Sequence, residues 1–342
     1  MNVLLKAMAH EEVPYTPVWF MRQAGRALKS YRSLRERFSF HELSTRTETI
    51  VEVTQLPVRE LGVDAAILFA DLTTPLHGMG VRFSIVEGKG PVMDHPIRDE
   101  SSVDKLSDLN PEQDLAYLLE AIRLLKASLT VPLIGFIAAP YTLATYMVEG
   151  GGGRDHPWTR ALLYRRPDLW ERLMERLTTN LECYGHAQIK AGVDTIQVFD
   201  SWLGGLPPEI YRRYVYPYTR HLIQSLQARV PVIYFGTKTA GLLEMMVETG
   251  ARVIGVDWRI NLDDAWQRIG YLRGIQGNLD PAVLLADRDS IRTMAQMVLD
   301  QADRRPGHIF NLGHGILPQT PEDHLKFLVD FVHEYSHRER GR

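Results

Sequence analysis

Val193-Asp194-Thr195-Ile196-Gln197-Val198-Phe199, followed at once by Asp200-Ser201, is the stretch on which the fold turns. Its short β-branched run reads as a buried strand, and a polar pair stands where the run stops. Residues 168–189 before it and 208–228 after it carry helical patterns, so the strand lies between two helices. That order is the βα unit of a parallel sheet. The same unit recurs outward in both directions, at 64–69 and 131–137 on one side and at 232–235, 253–256, 272–275 and 308–311 on the other. With the strand-like lead-in at 18–21 the candidates come to about eight, which suits a closed (β/α)8 barrel of the α/β class. A doubly wound open sheet is the runner-up, but no Gly-x-Gly-x-x-Gly follows a strand. No linker, low-complexity tract or repeat beyond the βα period interrupts the chain, so residues 1–342 are expected to form a single barrel domain.

The 342 residues are 45% hydrophobic and 24% charged, enough for one large barrel or two small domains. No apolar run approaches the roughly 20 residues of a membrane span, and Glu11-Glu12 stand where a signal peptide would have its cleavage region. A cytoplasmic protein with no membrane partner is expected. The lone Cys183 excludes an internal disulfide and any site built from several thiolates. A pI near 6.5 argues against nucleic-acid binding.

The densest charge feature lies near the amino terminus. Between Met21 and Phe38 stand Arg22, Arg26, Lys29, Arg32, Arg35 and Arg37 against the single acid Glu36. In a chain of formal net charge −3, such a block wants an anionic partner from elsewhere. A helix beginning after Gln23 would set Arg22 and Arg26 four residues apart on one face, where like charges repel mildly without a ligand between them. Guanidinium forks pair bidentately with carboxylate or phosphate. A solvated basic face is the plainer alternative; the apolar lead-in and Gly25 between the arginines favour a built site.

Polar residues collect at the carboxyl ends of the strand candidates, where barrel enzymes place their sites. Asp71 follows Phe69-Ala70, Ser201 follows Asp200, Asp257 follows Val256, Asn278 follows Gly277, and His314 follows Gly313. Asp200, Asp257, Asn278 and Asp280 each have a structural use as caps or turn formers. Asp71 differs, because Thr73 or Thr74 could cap the next segment and leave the acid free as an acceptor. His314 sits between glycines that let backbone approach a ligand, while Tyr146 taken alone reads as a core tyrosine. Residues 73–96 read as a loop or hairpin insertion. The glycines at 150–153, leading to Arg154 and His156, read as a mobile loop over a site or as a plain connector.

The string Met21-Arg22-Gln23-Ala24-Gly25-Arg26 after Pro17-Val18-Trp19 resembles the amino-terminal signature of the uroporphyrinogen decarboxylase family. LFAD at 68–71, AAPYTLATYMVEGGG at 138–152, QVFDSW at 197–202, GVDWR at 255–259, QGNLDP at 276–281 and NLGHGILP at 311–318 resemble that family's blocks in the same order. The resemblance implies decarboxylation of the four acetate side chains of uroporphyrinogen III, giving coproporphyrinogen III in haem biosynthesis. It implies that Arg22, Gln23, Ala24, Gly25 and Arg26 bind substrate, the two arginines polarising its carboxylates. Asp71 would hold the pyrrole nitrogens, Tyr146, Ser201 and His314 would contact the macrocycle's side chains, and the chain would form a homodimer. Where the family continues with Tyr-Leu-Pro-Glu this chain has Ala27-Leu28-Lys29-Ser30, and Ala70 replaces its usual serine. Those departures bear on rate or substrate fit more than on reaction class.

Uroporphyrinogen carries eight carboxylates and four pyrrole N–H groups that can converge on one acceptor. Loss of CO₂ leaves a carbanion, and a pyrrole protonated at the adjacent carbon takes up the electrons without cofactor or metal. The protein must hold that cation near an anion and keep the acetate from water. Asp71 suits the first task and Arg22 or Arg26 the second. No dinucleotide fingerprint, thiolate cluster or His-rich metal spacing occurs, so no cofactor is expected. The alternatives are a corrinoid-dependent methyltransferase, whose zinc-thiol site would need more than Cys183 and His186, and a non-catalytic tetrapyrrole carrier, which gains nothing from an ionised Asp71.

Overall fold

The computed structural model describes residues 2–86, 88–153 and 155–337. Its strands are β1 (Ala66–Ile67), β2 (Phe83–Val86), β3 (Gly90–Met93), β4 (Leu133–Ala138), β5 (Thr195–Asp200), β6 (Val232–Gly236), β7 (Val253–Gly255), β8 (Gly274–Leu279) and β9 (His308–Leu312). Seven of them form one parallel sheet in the order β1-β4-β5-β6-β7-β8-β9, while β2 and β3 pair as a separate antiparallel hairpin. The remaining stave is the extended segment 17–20. Phe310 N donates to Pro17 O at 2.9 Å and Trp19 N to Phe310 O at 3.4 Å, while Asp64 N donates to Val18 O at 2.8 Å on the other side. The segment that closes the curled sheet therefore runs directly into the arginines.

Strands covered on both faces can be apolar throughout, and β4, β6, β7, β8 and β9 are buried at every position. The outer helices bury one stripe each: Leu118, Leu119, Ile122 and Leu125 in Ala116–Ser128, and Leu325, Leu328, Val329 and Val332 in Glu322–Ser336. Inside the barrel, Trp19 Nε1 donates to Gln276 Oε1 and Gln276 Nε2 to Gln197 Oε1, both at 3.0 Å. At the opposite end, Asp64 accepts from Val18 N at 2.8 Å and from the Tyr15 hydroxyl at 3.2 Å, with His333 Nε2 at 2.8 Å. These bonds fix the register of the closing stave.

Three expectations are corrected in detail. The stretch at 208–228 is two helices, Pro208–Tyr214 and Tyr216–Gln227, because Pro217 has no N–H to continue the first. Asn110-Pro111-Glu112 carries a capping residue, a proline and an acid that together predict the start of a long helix, but it starts only the single turn Pro111–Asp114, which ends before Ala116–Ser128 begins. Leu272 is 90% exposed in a turn, and the strand starts at Gly274. Arg154 lies outside the described residues. No helix among the described residues is long and apolar enough to cross a membrane.

One pH response follows from the buried polar groups. His308 is fully enclosed, Nε2 lies 3.0 Å from Gly277 O, and burial pushes its pKa down to about 4. The unfolded chain, with an ordinary imidazole, binds that proton first as pH falls below 6.5, so folding stability drops between roughly pH 6.5 and 4. Burial also lowers His10, His77, His156 and His314. Asp200 runs the other way, because burial raises its pKa to about 6 and its contribution fades as pH rises through that value. The histidines outnumber it, so the urea midpoint should be lower at pH 5 than at pH 7; an equal or higher midpoint at pH 5 would contradict this balance.

Candidate active site

At the carboxyl ends of the strands a cavity of about 650 Å³ opens. Its apolar base is formed by Phe136, Phe199 and Phe235 of β4, β5 and β6, packed edge to face at 5.6 and 6.0 Å. Met21, Arg22, Ala24, Gly25 and Arg26 line one wall.

The arginine loop is not helical, as the spacing had suggested; the helix begins at Lys29. Gln23 explains why. It is fully buried, its Oε1 accepts from Phe20 N, and its Nε2 donates to Ala65 O, both at 3.0 Å. Gln23 N also donates to Phe20 O, closing a turn that leaves Arg22 at φ 59°, a left-handed conformation costly for a residue with a Cβ. Met21 N to Asn311 Oδ1 at 3.2 Å and Ile316 N to Met21 O at 2.9 Å hold the other side. Gln23 was expected among the substrate contacts; it is fully buried, is not among the residues that line the cavity, and its amide holds the loop. Gly25 avoids a tight contact, since a Cβ there would meet Arg22 O at 3.0 Å. Among the described residues, no carboxylate pairs with Arg22, which is exposed to the cavity.

Asp71 follows β1 at the lip of the cavity. Its Oδ1 accepts from Thr73 N at 2.9 Å and from Thr73 Oγ1 at 2.5 Å, and Asp71 N donates to Thr74 Oγ1 at 3.2 Å. The acid is thus not wholly free, as the sequence had suggested, because an Asx turn takes one oxygen. Oδ2 has no donor among the described residues. Tyr146, on the helix Pro140–Glu149, has its pKa pushed up to about 12, first by burial and then by the charge of Asp71. Its ring lies 4.2 Å from Trp202, which follows Ser201 after β5. His314 follows β9, and burial, with the Arg22 and Arg259 charges, lowers its pKa to about 4, leaving a neutral imidazole at pH 7. Gly315 presses on Arg22: a Cβ there would come 2.4 Å from Arg22 Cδ.

The cavity thus brings together Arg22, Ala24, Gly25, Arg26, Asp71, Tyr146, Ser201 and His314. The other strand-end candidates are engaged by other groups and do not line the cavity. Asp257 accepts from Lys238 N at 2.7 Å and from Arg259, Asn278 Nδ2 donates to the carbonyls of Asp257 and Ile260, and Asp280 caps Ala282 N. Asp200, fully buried, does not cap its successor but accepts from Thr142 Oγ1 at 2.8 Å and from the Tyr234 hydroxyl at 2.9 Å. His156 is buried with its ring 4.5 Å from that of Trp202. Arg35, Tyr31 and Lys89 line the cavity without having been singled out as site residues. Arg35 stood in the basic block, so its charge was the available signal; Lys89 offered only its place in a glycine-rich hairpin.

The family profile described as Uroporphyrinogen decarboxylase (URO-D) matches residues 1–335. A protein of Thermus thermophilus named uroporphyrinogen decarboxylase is 53% identical over 336 residues, covering 98% of each chain. One of the same name from Carboxydothermus hydrogenoformans is 47% identical over 338 residues, covering 98% of this chain and 97% of its own. Among solved structures, a methyltransferase from Methanosarcina mazei superposes with a TM-score of 0.80 over 97% of both chains at 19% identity, a likeness of fold alone. A profile match over nearly the whole chain, with full-length relatives at about half identity, places this protein in the uroporphyrinogen decarboxylase family.

Proposed function

We propose that this chain decarboxylates the four acetate side chains of uroporphyrinogen III to give coproporphyrinogen III, acting as one barrel domain over residues 1–342. One observation carries the reading: Asp71 is the single carboxylate among the described lining residues, in a cavity otherwise furnished with Arg22, Arg26, Arg35, Lys89 and aromatic rings. Pyrrole N–H groups need an acceptor, the pyrrolium formed on carbon protonation needs a nearby anion, and Asp71 Oδ2 meets both needs. Arg22 and Arg26 bind carboxylates at the wall, while Ala24 and Gly25 allow close approach there. Tyr146, held near 12, and His314, held neutral, serve as hydrogen-bonding groups to macrocycle side chains at pH 7, with Ser201 beside them. The electron sink is the substrate's own pyrrole, so the reaction needs no cofactor or metal. Incubation with reduced uroporphyrinogen, following CO₂ and coproporphyrinogen, tests the reading; binding without CO₂ release would leave a carrier.

The methyltransferase alternative finds no support in the residues. Cys183 lies on the helix Pro167–Ala191 and does not line the cavity, and no His/Cys/Asp/Glu group among the described residues has metal-holding geometry.

Replacing Arg26 by lysine keeps the charge and loses the planar fork, so kcat/KM should fall about tenfold. Unchanged kinetics for Arg26→Lys would show that the fork is not used. The family relationship and the prevalence of symmetric pairs support a cytoplasmic homodimer with no nucleic-acid or membrane partner. Light scattering should give twice the chain mass across working concentrations, and a persistent monomer would refute the dimer.

A further inference from the structure

On the reading of the cavity as a tetrapyrrole polycarboxylate site, we infer that the β2–β3 hairpin is a further substrate-binding wall and that Lys89 at its turn pairs with a peripheral carboxylate. The described residues of the hairpin are tied to the rest of the fold. Lys89 N donates to Val86 O at 3.0 Å, and Gly88 and Gly90 supply the left-handed turn at φ 77° and 78°. Its inner strand is tied to the end of the helix that carries Tyr146: Met93 N donates to Gly150 O at 2.8 Å, and Val92 bridges Gly151 antiparallel. A Cβ on Gly151 would come 3.1 Å from Pro91 O, a tight contact that glycine avoids. The described glycines after that helix are thus partly spent on fixing the hairpin.

Two features of the hairpin point to a ligand. Ile85 and Val86, 38% and 37% exposed, are both among the residues that line the cavity, and an exposed apolar stretch at its edge suits a ring. Lys89 is exposed, lines the same cavity, and has no ion-pair partner among the described residues. Arg22, Arg26 and Arg35 all come from one segment of the chain, residues 22–35. A tetrapyrrole bears an acetate and a propionate on each of its four rings, so its carboxylates point outward around the whole rim. One segment is poorly placed to meet them all. Lys89 is the cation that the rest of the described lining supplies.

Steady-state kinetics on reduced uroporphyrinogen with Lys89→Glu, Lys89→Gln and Lys89→Arg, at low and high ionic strength, test this. Lys89→Glu should raise KM about tenfold, with kcat falling much less; the penalty should shrink in high salt, because an exposed charge contact is screened. Lys89→Gln should raise KM a few-fold, and Lys89→Arg should restore it. Wild-type KM in Lys89→Glu, or Lys89→Arg behaving like Lys89→Gln, would overturn the role of Lys89 while leaving the decarboxylase reading intact. Absence of CO₂ release by the wild-type chain would remove both.

Discussion

Asp71→Asn should lower turnover on uroporphyrinogen by a factor on the order of 10² or more, with little change in thermal stability. The geometry sharpens the reason. Thr73 donates twice to Asp71 Oδ1, so an asparagine keeps the turn only by placing its carbonyl oxygen there. Its NH₂ then occupies the position of Oδ2 and presents donors to pyrrole N–H groups, which are also donors. The substitution therefore removes the negative charge and reverses the hydrogen-bonding sense at one stroke. Arg22 and Arg26 remain to hold the polyanion, so the loss should fall mainly on kcat. Asp71→Glu, whose longer arm keeps the charge, should be milder. Single-turnover decarboxylation of pre-bound substrate is the direct measurement. If binding collapses in Asp71→Asn while the bound fraction reacts at the normal rate, Asp71 is an anchor and the charge-stabilising role is wrong.

The barrel was legible in the sequence because a strand covered on both faces needs a short apolar run and the helices between need one buried stripe. Both demands leave local marks, as at Thr195–Asp200 and Ala116–Ser128. The site was legible where a residue stands at the end of such a run: Asp71, Ser201 and His314 all line the cavity. What escaped was set by partners distant in sequence. The non-helical path at Arg22 depends on Gln23 reaching Ala65 O, and a local four-residue spacing cannot reveal that bond. Gln23 itself sits among site residues yet works from beneath them. Lys89 lines the cavity from a hairpin tied to Gly150 and Gly151, a tertiary match for which neither glycine-rich stretch carries a mark.

Gly315→Ala should lower kcat/KM by about 10- to 100-fold without unfolding the protein, since a displacement of about 1 Å at a positioned group can cost that much. The new methyl would lie 2.4 Å from Arg22 Cδ and 2.8 Å from Cγ, distances that real Cβ contacts do not show. Gly315 is not among the glycines with a left-handed φ, so its backbone accepts alanine. Arg22 must therefore yield. Its backbone cannot, because Gln23, Asn311 and Ile316 hold the turn on both sides. Only the side chain can leave its rotamer, which carries the guanidinium away from the carboxylate it serves. The double-mutant cycle isolates this cause. With Arg22→Ala already in place the methyl has nothing to displace, so adding Gly315→Ala should change kcat/KM less than about twofold. If the two losses instead multiply, Gly315 acts on the site by another route, and the contact between the loop after β9 and Arg22 is not what orients the arginine.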